Sequence, residues 1–122
     1  MIVGIGNDII EQERVKKACE KDAFLLRVYT EAERMLIAKK PVMAADNWAV
    51  KESVVKALGV GFTGGIQPID IECLRDKAGK PYVLLRGQAY ETARSLRVDI
   101  IHVTISNAGG MSSAMAVAER DA

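Results

Sequence analysis

The sequence lacks most of the features that announce a function at once. Its two cysteines, Cys19 and Cys73, form no metal spacing and no disulfide framework. Reduced thiols in a cytosolic protein are the simpler reading, although a bridge between them stays open. Net charge is close to nil, +1 from 17 basic and 16 acidic residues. That balance speaks against broad electrostatic binding to nucleic acid or to a membrane surface. No apolar stretch approaches the roughly 18 residues that a membrane-spanning helix needs. The first residues lack the basic start and apolar run of a signal peptide, so a cytoplasmic location is expected. There is no internal repeat, low-complexity tract or linker, and there is a single histidine, His102. Any histidine chemistry must therefore be there.

What the chain does have is a globular balance. Apolar residues make up 49% and charged residues 27% of 122 positions, which predicts one domain spanning 1–122 with a real core. A domain of this size still leaves much surface exposed, so an oligomer is an easy expectation. Residues 1–9 read as an opening strand, with Gly4, Gly6 and Asp8 on one parity and Val3, Ile5 and Ile9 on the other. Residues 10–40 read as short helices, and Thr30-Glu31-Ala32-Glu33 resembles a capping box. Pro41 suits the first turn of a helix that runs to Leu58 and stops at Gly59. Residues 69–74 and 81–85 read as strands around the turn 76–80, and 88–96 as a helix. Residues 100–106 and 112–119 read as paired strands. Helices and strands are mixed without strict alternation, which predicts an α+β domain: an antiparallel sheet, a long central helix and shorter helices.

Three places carry candidate chemistry. The first is Trp48-Ala49-Val50-Lys51-Glu52-Ser53-Val54-Val55-Lys56-Ala57-Leu58-Gly59-Val60-Gly61. Glu52 and Lys56 are four apart and so neighbours on one helical face. An ordinary solvated ion pair is the bland interpretation, weakened by the apolar residues around it. A carboxylate and a cation beside a glycine loop suit a magnesium-held polyphosphate. Asp8 is the second, either a magnesium ligand or merely a helix cap. Gly4 and Gly6 on its face let another backbone or a ligand come close. The third is the strand 100–106, where Ile101, Val103 and Ile105 alternate with His102, Thr104 and Ser106. Polar side chains converging on one face suit an anion, although a lone strand histidine is more often structural.

These stretches resemble one family throughout. Met1-Ile2-Val3-Gly4-Ile5-Gly6-Asn7-Asp8-Ile9-Ile10-Glu11, followed by Glu13-Arg14, is similar to the opening of bacterial holo-acyl-carrier-protein synthases. The segment from Trp48 to Gly61 resembles that family's central helix, Asp70-Ile71-Glu72 with Gly79-Lys80-Pro81-Tyr82 its hairpin, and His102-Val103-Thr104-Ile105-Ser106 its final motif. Four motifs in order cover nearly the whole chain.

The resemblance implies a 4′-phosphopantetheinyl transferase-like fold and transfer of the phosphopantetheine arm of coenzyme A to a serine of an apo acyl-carrier protein. It implies Mg²⁺ held by Asp8 and Glu52, with Lys56 neutralising charge or helping to move the serine proton. Coenzyme A would lie against Lys51, Lys56, Gly59, Gly61, His102 and Thr104. A homotrimer with sites between subunits is implied as well. Phosphoryl transfer independently asks for such groups, since it rests on positioning and charge neutralisation. The chain departs from the family's usual pattern at Asn47, where a basic residue is frequent, at Asn107, where a second histidine is, and at Met111, where an aromatic is. A non-catalytic trimeric module that binds nucleotide or carrier is the alternative. Acidic carriers would dock on Arg14, Lys17 and Lys21, which share a face if the segment is one helix.

Overall fold

The computed structural model describes residues 1–121. Its elements in chain order are strand β1 (Ile2–Glu11), helices α1 (Gln12–Ala18), α2 (Asp22–Val28), α3 (Glu31–Lys39) and α4 (Met43–Leu58), strands β2 (Ile71–Arg75) and β3 (Pro81–Leu85), helix α5 (Gly87–Ser95), and strands β4 (Ile100–Ala108) and β5 (Met111–Glu119). Two short 3₁₀ turns, Phe62–Gly64 and Pro68–Asp70, lie between α4 and β2. β1, β5 and β4 form a three-stranded antiparallel sheet in that order, while β2 and β3 make a separate hairpin. This is the expected α+β arrangement. Among the described residues no helix is long and apolar enough to cross a membrane.

The local signals explain most boundaries. Thr30 and Glu33 form a complete capping box at the start of α3, satisfying two helix-end donors reciprocally. Gly59 ends α4 in the left-handed conformation, φ 77°, which a residue with a Cβ adopts only at a cost. β1 runs two residues further than expected, to Glu11. Asp8 is therefore inside the strand, paired with Ala114, and Glu11 rather than Asp8 occupies the N-cap of α1. The segment 14–21 is not one helix either. α1 ends at Ala18, and Lys21 is the N-cap of α2.

α4 lies across one face of the three-stranded sheet, and the residues under it are small. Gly4 and Gly6 from β1 join Ala114, Ala116 and Ala118 from β5, the three alanines being buried. A Cβ on Gly6 would sit 2.1 Å from the Ser53 carbonyl oxygen, and one on Gly4 1.9 Å from that of Ala57. No side chain fits in that space, so the helix backbone rests almost directly on the strand. Val50, Val54, Val55 and Leu58 of α4 join Ile66, Ile71 and Cys73 to complete the main core. A smaller cluster of Val15, Val28, Tyr29, Ala44 and Ala45 holds α1 and α2 against the start of α4. The opposite face of the sheet has no such cover. Ile5 and Ile9 are 61% and 64% exposed there.

Candidate active site

The close seating of α4 on β1 determines what meets at their edge. Asp8 has the same parity as Gly4 and Gly6, so its carboxylate points toward the helix that those glycines admit. Lys56 sends its ammonium to the Asn7 carbonyl oxygen at 2.9 Å and to Asp8 Oδ1 at 3.4 Å. It makes that contact instead of the i, i+4 ion pair with Glu52 that the helical spacing suggested. Glu52 is half-buried, and its carboxyl is pushed above its ordinary value, first by burial and then by the negative charge of Asp8, with Lys56 opposing. Two carboxylates drawn close enough to repel, with one cation beside them, form a charge-frustrated site.

The donor set matches a hard cation. Among the described residues no group of three or more histidine, cysteine, aspartate or glutamate side chains is disposed to hold a metal unaided. A pair of carboxylates that must share their ligand with water and phosphate oxygens suits Mg²⁺ rather than zinc.

The other expected residues fall in several places. Gly59 and Gly61 follow the C-terminus of α4, both with positive φ, and open into the loop that reaches Pro68. His102 and Thr104 do not join Asp8 within one chain. β4 presents them on the sheet face opposite α4, where His102 Nε2 lies 2.9 Å from Glu119 Oε1. Thr104 and Ser106 line a depression of about 440 Å³ on that face with Ile5, Asn7, Ser113 and Met115. Arg14, Lys17 and Lys21 line a groove with Phe24 and Arg27. They do so across the α1–α2 turn rather than on one helix face.

Lys51 is a correction. The helix turns it away from Glu52 into the protein, where it is fully buried and ion-paired with Glu33 at 2.8 Å. Its three ammonium donors are taken by Glu33 Oε1 and the carbonyl oxygens of Pro68 and Ile71, so none is left for a coenzyme phosphate. Burial pushes its pKa down, and the Glu33 carboxylate opposes that. Asn47 is inside as well, donating to Glu33 Oε2 and the Cys73 carbonyl oxygen and accepting from Arg75. Asn47 is fully buried, with its amide spent on these protein partners. Asn107 donates to both carboxylate oxygens of Asp46, tying β4 to the first turn of α4. The sequence reading missed this polar network. Its trace is Asn47 and Lys51, polar residues four apart on α4 that lie one above the other on the helix and share a face.

Comparison with known proteins agrees with the fold and the motifs. Residues 4–116 match the profile of the 4′-phosphopantetheinyl transferase superfamily, and the chain belongs to that family. It is 50% identical over 119 residues to the holo-[acyl-carrier-protein] synthase of Lachnoclostridium phytofermentans, covering 98% of this chain and 97% of that one. The holo-(acyl-carrier-protein) synthase of Bacillus anthracis, solved in complex with CoA (3′,5′-ADP), superposes with a TM-score of 0.81 at 32% identity, covering 99% of both chains. The Helicobacter pylori holo-[acyl-carrier-protein] synthase in complex with coenzyme A gives a TM-score of 0.83 at 27% identity, covering 94% of this chain and 99% of that one.

Proposed function

We propose that this chain is a transferase of the holo-acyl-carrier-protein synthase type, moving the 4′-phosphopantetheine arm of coenzyme A onto a serine hydroxyl of an apo acyl-carrier protein for lipid synthesis. One observation carries the reading: Asp8, Glu52 and Lys56 converge where α4 lies on β1, inside a chain matched to the family from residue 4 to residue 116. In the reaction the serine oxygen forms a bond to the phosphorus that bears the pantetheine. The bridge of the pyrophosphate breaks there, 3′,5′-ADP leaves, and the serine proton is released to solvent. Asp8 and Glu52 would hold Mg²⁺, which when bound withdraws charge from the pyrophosphate oxygens. Lys56, half-exposed beside Asp8, supplies a second positive charge toward the leaving nucleotide. Gly59 and Gly61 let the loop after α4 follow the phosphates without side chains in the way.

The uncovered sheet face supports a homotrimer. Ile5, Ile9 and Met115 are exposed together there, an apolar patch of the kind that marks an interface. The same face carries His102 and Thr104, which lie away from their own Asp8. A neighbouring copy would bring its His102 and Thr104 toward that site, so the coenzyme would sit between subunits. The Arg14, Lys17 and Lys21 groove is the docking surface for an acidic carrier helix. Free Cys19 and Cys73 fit a cytoplasmic location.

The test is to incubate the protein with coenzyme A, Mg²⁺ and several apo carriers, then weigh the carriers by mass spectrometry. A phosphopantetheine adduct on one of them, dependent on Mg²⁺, is the expected result. No adduct on any carrier, with coenzyme A still bound, would instead make the chain a binding module.

A further inference from the structure

The centre of the buried polar network is not needed for a simple hydrophobic core. Glu33 Oε1 accepts from the Thr30 backbone N–H at 3.1 Å and from Lys51 Nζ at 2.8 Å, while Oε2 accepts from Asn47 Nδ2 at 3.0 Å and the Cys73 N–H at 3.4 Å. One carboxylate therefore joins α3 to two successive turns of α4 and to β2. Lys51 extends the joint to the Pro68 carbonyl oxygen at 3.0 Å, where the loop from Gly59 ends. Both side chains are wholly out of water. A buried ion pair is poor at adding stability compared with apolar packing, because desolvation consumes most of the attraction. Its directional bonds do specify geometry.

That geometry bears on the site through one peptide bond. Lys51 precedes Glu52, so the turn of α4 that is clamped inside is the turn that presents Glu52 outside. A helix fixed at residues 47 and 51 cannot rotate about its axis. A rotation of about 10° would move a side-chain tip by roughly 1 Å, given a helix radius near 5–6 Å. A misplacement of about 1 Å is enough to cost about 100-fold in rate.

We propose that the buried Glu33–Lys51 pair is a positioning element of the transfer reaction, setting through α4 where Glu52 faces Asp8 and pinning through Pro68 the far end of the glycine loop. This rests on the reading of Asp8 and Glu52 given above. Neither Glu33 nor Lys51 touches substrate; they act through the helix and the loop.

The test is the double variant Glu33→Gln/Lys51→Met, which removes both charges together and leaves neither buried alone. Melting temperature, calorimetric binding of coenzyme A in Mg²⁺, and kcat and KM for an apo carrier are measured well below the melting point. Val83→Ala, a core truncation away from the site, serves as a control for lost stability. In the folded double variant the coenzyme Kd should rise about 10-fold and kcat should fall about 10- to 100-fold, the range seen when groups supporting a metal site are lost. Carrier KM should stay unchanged, and Val83→Ala should alter none of the three. Wild-type Kd and kcat in the folded double variant would overturn the proposal, as would the same losses in Val83→Ala. Should the double variant not fold, Glu33→Asp, which keeps both charges but shortens the carboxylate's reach to Lys51, should move Kd and kcat the same way by a few-fold, and no change there would also overturn it. Absence of transfer by the wild type would instead reject the activity, with coenzyme Kd still reporting on positioning.

Discussion

The two faces of the three-stranded sheet use the same strands for opposite purposes. On the inner face β1 and β5 present glycine and alanine beneath α4, and there helix backbone packs against strand backbone. On the outer face are Ile5, Ile9, Met115, His102 and Thr104, and no described residue covers them. Small residues inside allow α4 to approach until Glu52 and Asp8 feel each other. Large residues outside keep a surface free for another copy. In the reading proposed above, the alternation of a strand gives the proposed site to one parity and the proposed subunit contact to the other.

The inner face should break most easily. Gly6→Ala places a methyl group against the Ser53 carbonyl, where only backbone could move. We expect a loss of about 3 kcal/mol or more in chemical denaturation, at the upper end of overpacking costs. A loss under about 0.5 kcal/mol, the size of an ordinary surface substitution, would mean that the helix is not held this closely.

Glu52→Gln separates function from stability on the same face. Transfer should fall by about 100-fold or more if Glu52 is one of the two metal-holding groups proposed above. Folding stability should rise slightly at neutral pH without metal. The sign follows from the raised carboxyl of Glu52. The folded protein keeps that proton to higher pH than the unfolded chain does. Stability is therefore lost as pH rises from the ordinary glutamate value through the raised one. Glutamine removes the loss, and melting curves of the two proteins across acidic pH should converge at the low end. A variant less stable than wild type at pH 7, or equally active, would remove Glu52 from this role.

How much of this the sequence shows depends on whether a signal is local. The capping box at Thr30, the stop at Gly59 and both later hairpins are written in neighbouring residues and are correctly read. Asp8, Glu52 and Lys56 each stand in a short motif, and their meeting where α4 crosses β1 is what the structure adds. Lys51 is misread because position along the motif says nothing about azimuth, and one step along a helix turns a side chain by about 100°. The Glu33 network stays hidden because its bonds join residues up to 40 positions apart. Asn47 stands only as a departure from a frequent basic residue until its partners are seen.

The outer face gives a smaller and different effect. Ile9→Asp should leave the fold of each chain nearly intact, within about 0.5 kcal/mol, since the side chain is exposed in a single copy. In the assembly it would bury an unpaired charge, so the protein should sediment as a monomer. Loss of transfer should accompany loss of assembly. A fully active monomer would show that every site is complete within one chain.

The last and smallest expected effect decides where His102 acts. His102→Ala should weaken coenzyme A binding by only a few-fold, the effect of one charge-assisted hydrogen bond. The melting temperature should barely change, because the contact it loses, to Glu119, is exposed. If His102 serves the site of a neighbouring copy, that contribution is already absent once assembly is broken. Coenzyme binding by Ile9→Asp/His102→Ala should then equal binding by Ile9→Asp alone, a non-additive cycle. Additive losses would place His102 at work within its own chain. The two faces would then serve one site without a partner, against the separation that the strand parity draws.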